Sequence, residues 1–117
     1  RFLSGQITKG ATLKIDNHGR DIVCEGFATG LSVRNAMRVL RKRYTIHICF
    51  SAGNMVEVAQ RLRNPLVIAD NDASGTGQRS AKKIASRYWL GEAGEDFNDA
   101  EQRLGTAGVA ETLRPFI

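Results

Sequence analysis

The chain reads Pro65-Leu66-Val67-Ile68-Ala69-Asp70-Asn71-Asp72 just past its midpoint. An almost wholly apolar run of this length is typical of a strand that is covered on both faces of a parallel sheet. Asp70 and Asp72 come directly after it, and residues two apart on an extended segment point the same way. Because ligands of open α/β sheets bind beyond the carboxyl ends of the strands, we expect both carboxylates to face one ligand.

Strand-like and helix-like segments alternate on both sides of this strand. Short β-branched or aromatic runs predict further strands at 21–24, 45–50 and 88–90. Apolar residues at i, i+3, i+4 and i+7 predict helices within 31–42, 55–62 and 81–88, and another helix after Asp96 that continues towards Leu113. Asn54 and Glu57 are the capping pair expected for the second helix. This alternation favours a parallel sheet with right-handed crossovers.

The segment before residue 21 does not follow this rhythm. Residues 11–15 and the turn at 17–19 predict one additional strand. The expected fold is therefore α/β and Rossmann-like, with a compact four-stranded, mainly parallel sheet flanked by helices and an extra N-terminal strand.

Composition limits the class of protein. The 117 residues are 42% hydrophobic and 25% charged, which fits one globular domain. No apolar run approaches the roughly 18 residues of a membrane span, and we expect a cytoplasmic protein. Cys24 and Cys49 form no CxxC pair, which excludes a zinc site of the usual spacing and favours free buried thiols. Since the first residue is Arg1, we expect a piece of a longer protein.

Charge is unevenly distributed along the chain. Residues 1–91 contain 15 Lys and Arg against 6 acids, whereas residues 92–117 contain 2 against 6. A basic body of this kind suits a polyanion, nucleic acid first.

The acids at the predicted carboxyl ends of the strands suggest a metal site. Glu25 follows the first predicted strand, and no Lys or Arg lies between residues 64 and 78 to neutralise Asp70 and Asp72. Two carboxylates ~5 Å apart repel by roughly 3 kcal/mol at an effective dielectric near 20. Mg²⁺ relieves such repulsion, because it binds one or two carboxylates and completes its shell with water and phosphate oxygens.

Other readings of residues 70–77 are weaker. A calcium loop would need a glutamate where Ala81 stands. A dinucleotide loop would need a third glycine and no acids before it. A phosphatase with an aspartate nucleophile would need more than the 45 residues that follow Asp72. Exposed loop acids without a ligand remain open, because turns favour Asp and Asn.

Three segments together resemble the signatures of a Toprim domain, in the form found in DNA primases of bacteriophages and plasmids. They are Val23-Cys24-Glu25-Gly26-Phe27-Ala28-Thr29, Ile68-Ala69-Asp70-Asn71-Asp72-Ala73-Ser74-Gly75-Thr76-Gly77 and Gly94-Glu95-Asp96-Phe97-Asn98-Asp99. The resemblance covers about residues 10–104. It implies that 1–20 are the tail of a preceding subdomain, 21–104 the catalytic Toprim domain and 105–117 a C-terminal helical segment.

The resemblance also implies roles for individual residues. Glu25 corresponds to the glutamate that acts as general acid or base and as a possible metal ligand, and Asp70 and Asp72 correspond to the pair that holds Mg²⁺, for which Mn²⁺ can substitute. Asp96 resembles a further metal contact, although with Asp99 it could equally cap a helix. Nucleotide or phosphate contacts are expected from Gly26, Gly75, Gly77, Asn98 and Asp99. Glu95 departs from several relatives, which carry a lysine there.

The implied activity is nucleotidyl transfer that makes RNA primers on single-stranded DNA. The expected partners are the DNA template, nucleoside triphosphates and a replicative helicase in cis or in trans, in a bacterial cell and possibly with a phage or plasmid gene. Arg34, Arg38, Arg79 and Lys83 lie on basic helix faces and are expected to contact the template backbone, or else to be solvated. Toprim nuclease or topoisomerase chemistry, and a non-catalytic nucleic-acid or nucleotide-binding module, remain alternatives.

Overall fold

The computed structural model describes residues 12–70, 87–92 and 94–117. Within them the strands are β1 (Leu13–Asp16), β2 (Arg20–Cys24), β3 (Tyr44–Ile48), β4 (Leu66–Ala69) and β5 (Tyr88–Leu90). The helices are α1 (Phe27–Val39), α2 (Ala52–Ala59) and α3 (Phe97–Leu113), followed by a 3-10 turn at Arg114–Phe116. In this part of the chain, no helix is both long enough and apolar enough to cross a membrane.

The strands form one sheet in the order β1-β3-β2-β4-β5. β2 pairs in parallel with β3 and with β4, β4 pairs in parallel with β5, and only β1 runs antiparallel, beside β3. The α/β class is confirmed and the topology is compatible with a Rossmann-like fold. The sheet has five strands, not four: the extra N-terminal strand that the sequence predicted joins it as β1 and pairs with the edge of β3.

Alternate residues of the central strands enter two separate cores, as the pleat of a strand requires. Ile22, Ile46 and Ile68 belong to a cluster that α1 and α3 cover on one face. Val23 and Val67 belong to a cluster that α2 covers on the other face. All four residues of β4 are buried, as its apolar sequence predicted.

Helix α1 differs from its predicted range of 31–42 at both ends. It begins at Phe27 immediately after Gly26, which is its N-cap and provides no side-chain hydrogen bond. It packs very closely on the sheet, since a Cβ at Gly30 would lie 2.6 Å from Ile48 Cδ1. This contact fixes the amino-terminal end of α1 next to the carboxyl end of β3.

The other helices also correct details of the prediction. Ser51 caps α2, because its hydroxyl accepts from Asn54 N at 3.1 Å, whereas Asn54 is buried inside the helix. Helix α3 joins the two predicted C-terminal patterns, with a kink where Gly105 has φ 79°. Most of the predicted helix 81–88 lies outside the described residues, and Tyr88 belongs to β5.

Candidate functional site

Two acidic residues stand at adjacent carboxyl ends of the sheet. Glu25 follows β2 and Asp70 follows β4, and these strands pair in parallel with Ile22 opposite Leu66. Both acids are half-buried. The strand order therefore brings Glu25 and Asp70 to the same edge of the sheet, which we call the acidic edge.

The thiol of Cys24 lies beneath the acidic edge. Burial raises the pKa of this thiol far above its ordinary value, and the charges of Cys49, Asp70 and Glu25 raise it further. Cys24 therefore remains protonated beneath the acidic edge.

The backbone around Glu25 is held by the end of β3. Phe50 N donates to Glu25 O at 2.7 Å, and Cys49 N donates to Cys24 O at 2.9 Å. Phe50 has φ 69°, a left-handed conformation that is rare for a bulky residue. Strain of this kind is concentrated at functional sites, where surrounding contacts enforce it.

A pocket of about 140 Å³ opens beside Asp70. The other described residues that line it belong to the loop before α3 and to its first turn: Gly94, Glu95, Asp96 and Asp99. The structure thus brings Asp70 together with Asp96 and Asp99, from distant parts of the sequence. Glu25 is not part of the lining.

Asp96 and Asp99 form a reciprocal cap on α3. Asp96 Oδ1 accepts from Asp99 N at 2.7 Å, and Asp99 Oδ2 accepts from Asp96 N at 3.2 Å. The helix-capping role considered from the sequence is therefore present. Each carboxylate still has a second oxygen, so capping and a ligand contact are compatible.

Glu95 forms a bidentate ion pair with Arg103, in the second turn of α3. Arg103 Nε donates to Glu95 Oε2 at 2.6 Å and Nη2 donates to Glu95 Oε1 at 2.9 Å. The hydrogen bond from Arg103 lowers the pKa of Glu95, against the opposing effect of burial. Glu95 therefore remains ionised in the pocket, but its charge is compensated by the adjacent guanidinium.

One comparison with known proteins gives a match. A family model described as the Toprim domain matches residues 20–107. The chain belongs to the Toprim family. Neither a curated protein nor a solved structure matches it. Toprim domains occur in primases, topoisomerases and nucleases, are usually catalytic in nucleic-acid metabolism and generally bind Mg²⁺.

The donor chemistry of this Toprim domain fits Mg²⁺. Among the described residues, no three His, Cys, Asp or Glu side chains are grouped so that they could hold a metal ion. Mg²⁺ does not require such a cage, since one or two carboxylates with water and phosphate oxygens are sufficient. Asp70 can provide one such carboxylate, while Asp72, its expected partner, lies outside the described residues.

The amino-terminal end of α1 adjoins the acidic edge. Gly26 has φ −98°, and a Cβ there would meet only Thr29 Oγ1 at 3.9 Å, so the fold itself does not require glycine. The first turn contains no acid and no side-chain cap. Its free backbone N–H groups suit an anion such as phosphate.

Other residues of the expected site lie elsewhere in this Toprim domain. Asn98 Oδ1 lies 2.9 Å from Ser32 Oγ, between α3 and α1, and Asn98 does not line the pocket. Arg34 and Arg38 lie on α1, half-buried and exposed respectively. The remaining expected site residues fall outside the described part of the chain: Gly75, Gly77, Arg79 and Lys83.

Two features of the site were missed in the sequence. The compensation of Glu95 by Arg103 spans eight residues from a loop to a helix, a separation that no short-range pairing rule covers. The left-handed backbone at Phe50 could not be expected from a residue type that normally avoids it.

Proposed function

We propose that this chain is the catalytic Toprim domain of a DNA primase of the bacteriophage or plasmid type. In this proposal it performs Mg²⁺-dependent nucleotidyl transfer and makes RNA primers on single-stranded DNA during replication. Activity would depend on the rest of a longer parent protein, with a replicative helicase as partner in cis or in trans.

One observation carries the proposal. Asp70, at the end of β4, lines the same pocket as Asp96 and Asp99, beside an edge that also holds Glu25. Acids from two chain segments thus line one small space, and Glu25 stands at the adjoining edge of the sheet, next to the uncapped amino terminus of α1. Such a site combines oxygen ligands for a cation with N–H donors for phosphate, which is the requirement of a nucleoside triphosphate.

The roles follow from this arrangement and from the family motifs. Asp70 and Asp72 would hold Mg²⁺ with Asp96, and Glu25 would move a proton or contact the metal. When bound, the metal would neutralise phosphate charge and activate a hydroxyl for attack. Nucleotide contacts would come from Gly26, Gly75, Gly77, Asn98 and Asp99, and template contacts from Arg34, Arg38, Arg79 and Lys83.

The tyrosines of the chain do not favour a topoisomerase. A topoisomerase of this family needs a tyrosine whose hydroxyl can reach DNA. Tyr44 is 6% exposed in β3, and Tyr88 is a half-buried residue of β5 packed against the core. Since these are the two tyrosines of the chain, the nucleophile would have to come from elsewhere.

The test measures nucleoside triphosphate binding and chemistry. Calorimetric titration of the chain with ATP and GTP, with Mg²⁺ and with EDTA, should give binding only with the metal. Asp70→Asn should abolish it, whereas Glu111→Gln, which removes one exposed carboxylate paired with Arg114, should not. The parent protein should then extend RNA on a single-stranded template.

Three outcomes would overturn the proposal. Triphosphate binding that is unchanged in EDTA would show that binding does not need a metal ion. Equal binding by Asp70→Asn and wild type would show that the acidic edge does not take part in triphosphate binding. Metal-dependent cleavage of DNA without RNA synthesis would identify the nuclease alternative.

A further inference from the structure

A second charged surface lies at the opposite end of α1 from the acidic edge. Asn17, Arg38, Arg41, Lys42, Arg43 and Tyr44 line a groove of about 390 Å³, which we call the basic groove. It is formed where α1 ends, β3 begins and the chain leaves β1. Four of its six residues are cationic, within a span of six positions in the sequence.

These four cations are not neutralised by the described part of the protein. Arg61, Arg103 and Arg114 each form an ion pair with a nearby glutamate. In contrast, no carboxylate of the described residues lies within 4.0 Å of a groove cation, and Arg43 reaches only the carbonyl of Asn17, at 3.5 Å. Uncompensated like charges in one concave surface attract a polyanion.

The backbone at Arg41, inside the basic groove, is left-handed. Lys42 N donates to Met37 O at 3.0 Å, the long bond that closes a helix around a left-handed residue. Arg41 occupies that left-handed position with φ 56°, where glycine is strongly preferred. Arginine at this position costs some conformational energy, although its positive charge interacts favourably with the carboxyl end of the helix dipole.

The face of α1 connects the basic groove to the acidic edge. Phe27, Leu31, Arg34 and Arg38 follow one another at spacings of four, three and four residues, so they share one face of the helix. Phe27, beside Glu25 and Gly26, is 49% exposed, and Arg38 opens into the groove. From Phe27 to Arg38 the helix rises about 16 Å.

We propose that the basic groove binds the phosphodiester backbone of single-stranded DNA, which then follows this face of α1 to the acidic edge. A cationic groove combined with an exposed aromatic side chain is the usual means of holding a single strand, because phosphates meet the cations and a base stacks on the ring. The choice of single-stranded DNA as the bound molecule comes from the proposed function, and in this respect the inference rests on it. The binding itself needs no metal.

The experiment measures DNA binding by the whole chain without divalent cations. A fluorescein-labelled oligothymidylate of about 16 nucleotides is titrated in EDTA over a series of salt concentrations. Arg41→Gly and Lys42→Gln should each weaken binding several-fold and reduce the slope of log K against log salt by about 0.7 for each lost phosphate contact. Arg61→Gln, the matched control from the turn after α2 with the same change in charge, should behave like wild type.

Arg41→Gly also separates binding from a structural role. Glycine relieves the left-handed position, so the melting temperature should stay the same or rise while affinity falls. A lower melting temperature with unchanged affinity would assign Arg41 to the helix end and overturn the proposal, as would equal losses in Arg61→Gln. Lys42→Gln repeats the binding test without altering the strained residue.

Two further arms identify which proposal fails. Equal or tighter binding of a duplex of the same length would overturn the single-strand assignment. Asp70→Asn should keep its metal-free DNA binding, so unchanged triphosphate binding in this variant, with an intact groove, would count against the proposed chemistry alone. Loss of DNA binding only in the groove variants supports the basic groove whatever the fate of that chemistry.

Discussion

The Ser32 hydroxyl donates a 2.7 Å hydrogen bond to Glu101 Oε1 and so connects α1 to α3. Asn35 and Thr106 donate to the other carboxylate oxygen, at 3.4 and 2.9 Å. Burial acts to raise the pKa of Glu101, but these three hydrogen bonds outweigh it and hold the pKa below its ordinary value of 4.5. Since α3 begins at the pocket, this network also positions the pocket relative to α1.

Ser32→Ala should destabilise the protein by about 1 kcal/mol at pH 7, because it removes a buried donor from a charged acceptor. An acid whose pKa is lower in the folded state stabilises the folded protein at pH values above its pKa in the unfolded state. This stabilisation is lost as the pH falls through the pKa of the folded state. Urea unfolding from pH 7 to pH 3 should therefore show a smaller acid-induced loss in Ser32→Ala than in wild type.

Glu101→Gln is the control for this pH dependence. It cannot titrate, so its stability should lack the contribution lost below pH 4.5 altogether. Identical pH profiles for wild type and both variants would mean that the network does not favour the ionised form of Glu101.

Cys49 should make the protein less stable in alkali. Burial raises the pKa of the Cys49 thiol from 9.0 to about 12, and the charge of Glu25 adds to the effect. Stability from a raised pKa is complete below the unfolded value and is lost as pH rises through the folded one. At pH 10 we expect a loss of about 1 kcal/mol after allowance for screening.

The measurement compares urea unfolding at pH 8 and pH 10. Cys49→Ala should lose less stability than wild type over this interval. Iodoacetamide at pH 8 should label Cys49 only in urea, because the native thiol is buried and protonated. Rapid labelling of the native protein would contradict the predicted environment.

The pair of Glu95 and Arg103 predicts two opposite effects on triphosphate binding. Glu95→Gln removes a negative charge from the pocket and leaves Arg103 paired with the more distant Glu92, at 3.6 Å, so affinity for a magnesium nucleotide should rise a few-fold. Arg103→Gln leaves the Glu95 carboxylate uncompensated, so affinity should fall. Calorimetry at low salt measures both, and the double variant should bind like wild type. Changes of the same sign would contradict a purely electrostatic influence.

The sequence predicted the buried elements of the fold better than the exposed ends of its helices. The apolar strand at residues 66–69 and its acidic end could be recognised because a strand buried on both faces admits few other residues. The start of α1 could not, since Gly26 gives no capping side chain and Phe27 places an exposed aromatic ring where a polar first turn is usual. Its end was overestimated because Arg41 occupies a position typical of glycine.

Tertiary contacts decided the details that local patterns left ambiguous. Asn54 was predicted as a helix cap, but its side chain is turned into the core and donates to Cys49 O at 3.0 Å, while Ser51 takes the capping role. For the site, strand order and loop path determine which acids meet. From the sequence, only the family resemblance implied that Asp70 and Asp96 act together. Their shared pocket is a result of the fold.

Two substitutions of Asp96 separate its role as a helix cap from a role in metal binding. Asparagine caps helices as well as aspartate does, so Asp96→Asn should keep the bond from Asp99 N and the melting temperature of wild type. Asp96→Ala removes the cap and should destabilise the protein by about 1 kcal/mol. If Asp96 contacts Mg²⁺, as we expect, both variants should lose several-fold in Mg²⁺ affinity, because an amide is a weaker ligand than a carboxylate. Isothermal titration with MgCl₂ and thermal unfolding in EDTA measure the two effects independently. Wild-type Mg²⁺ affinity in Asp96→Asn would restrict Asp96 to the cap and leave Asp70 with other partners.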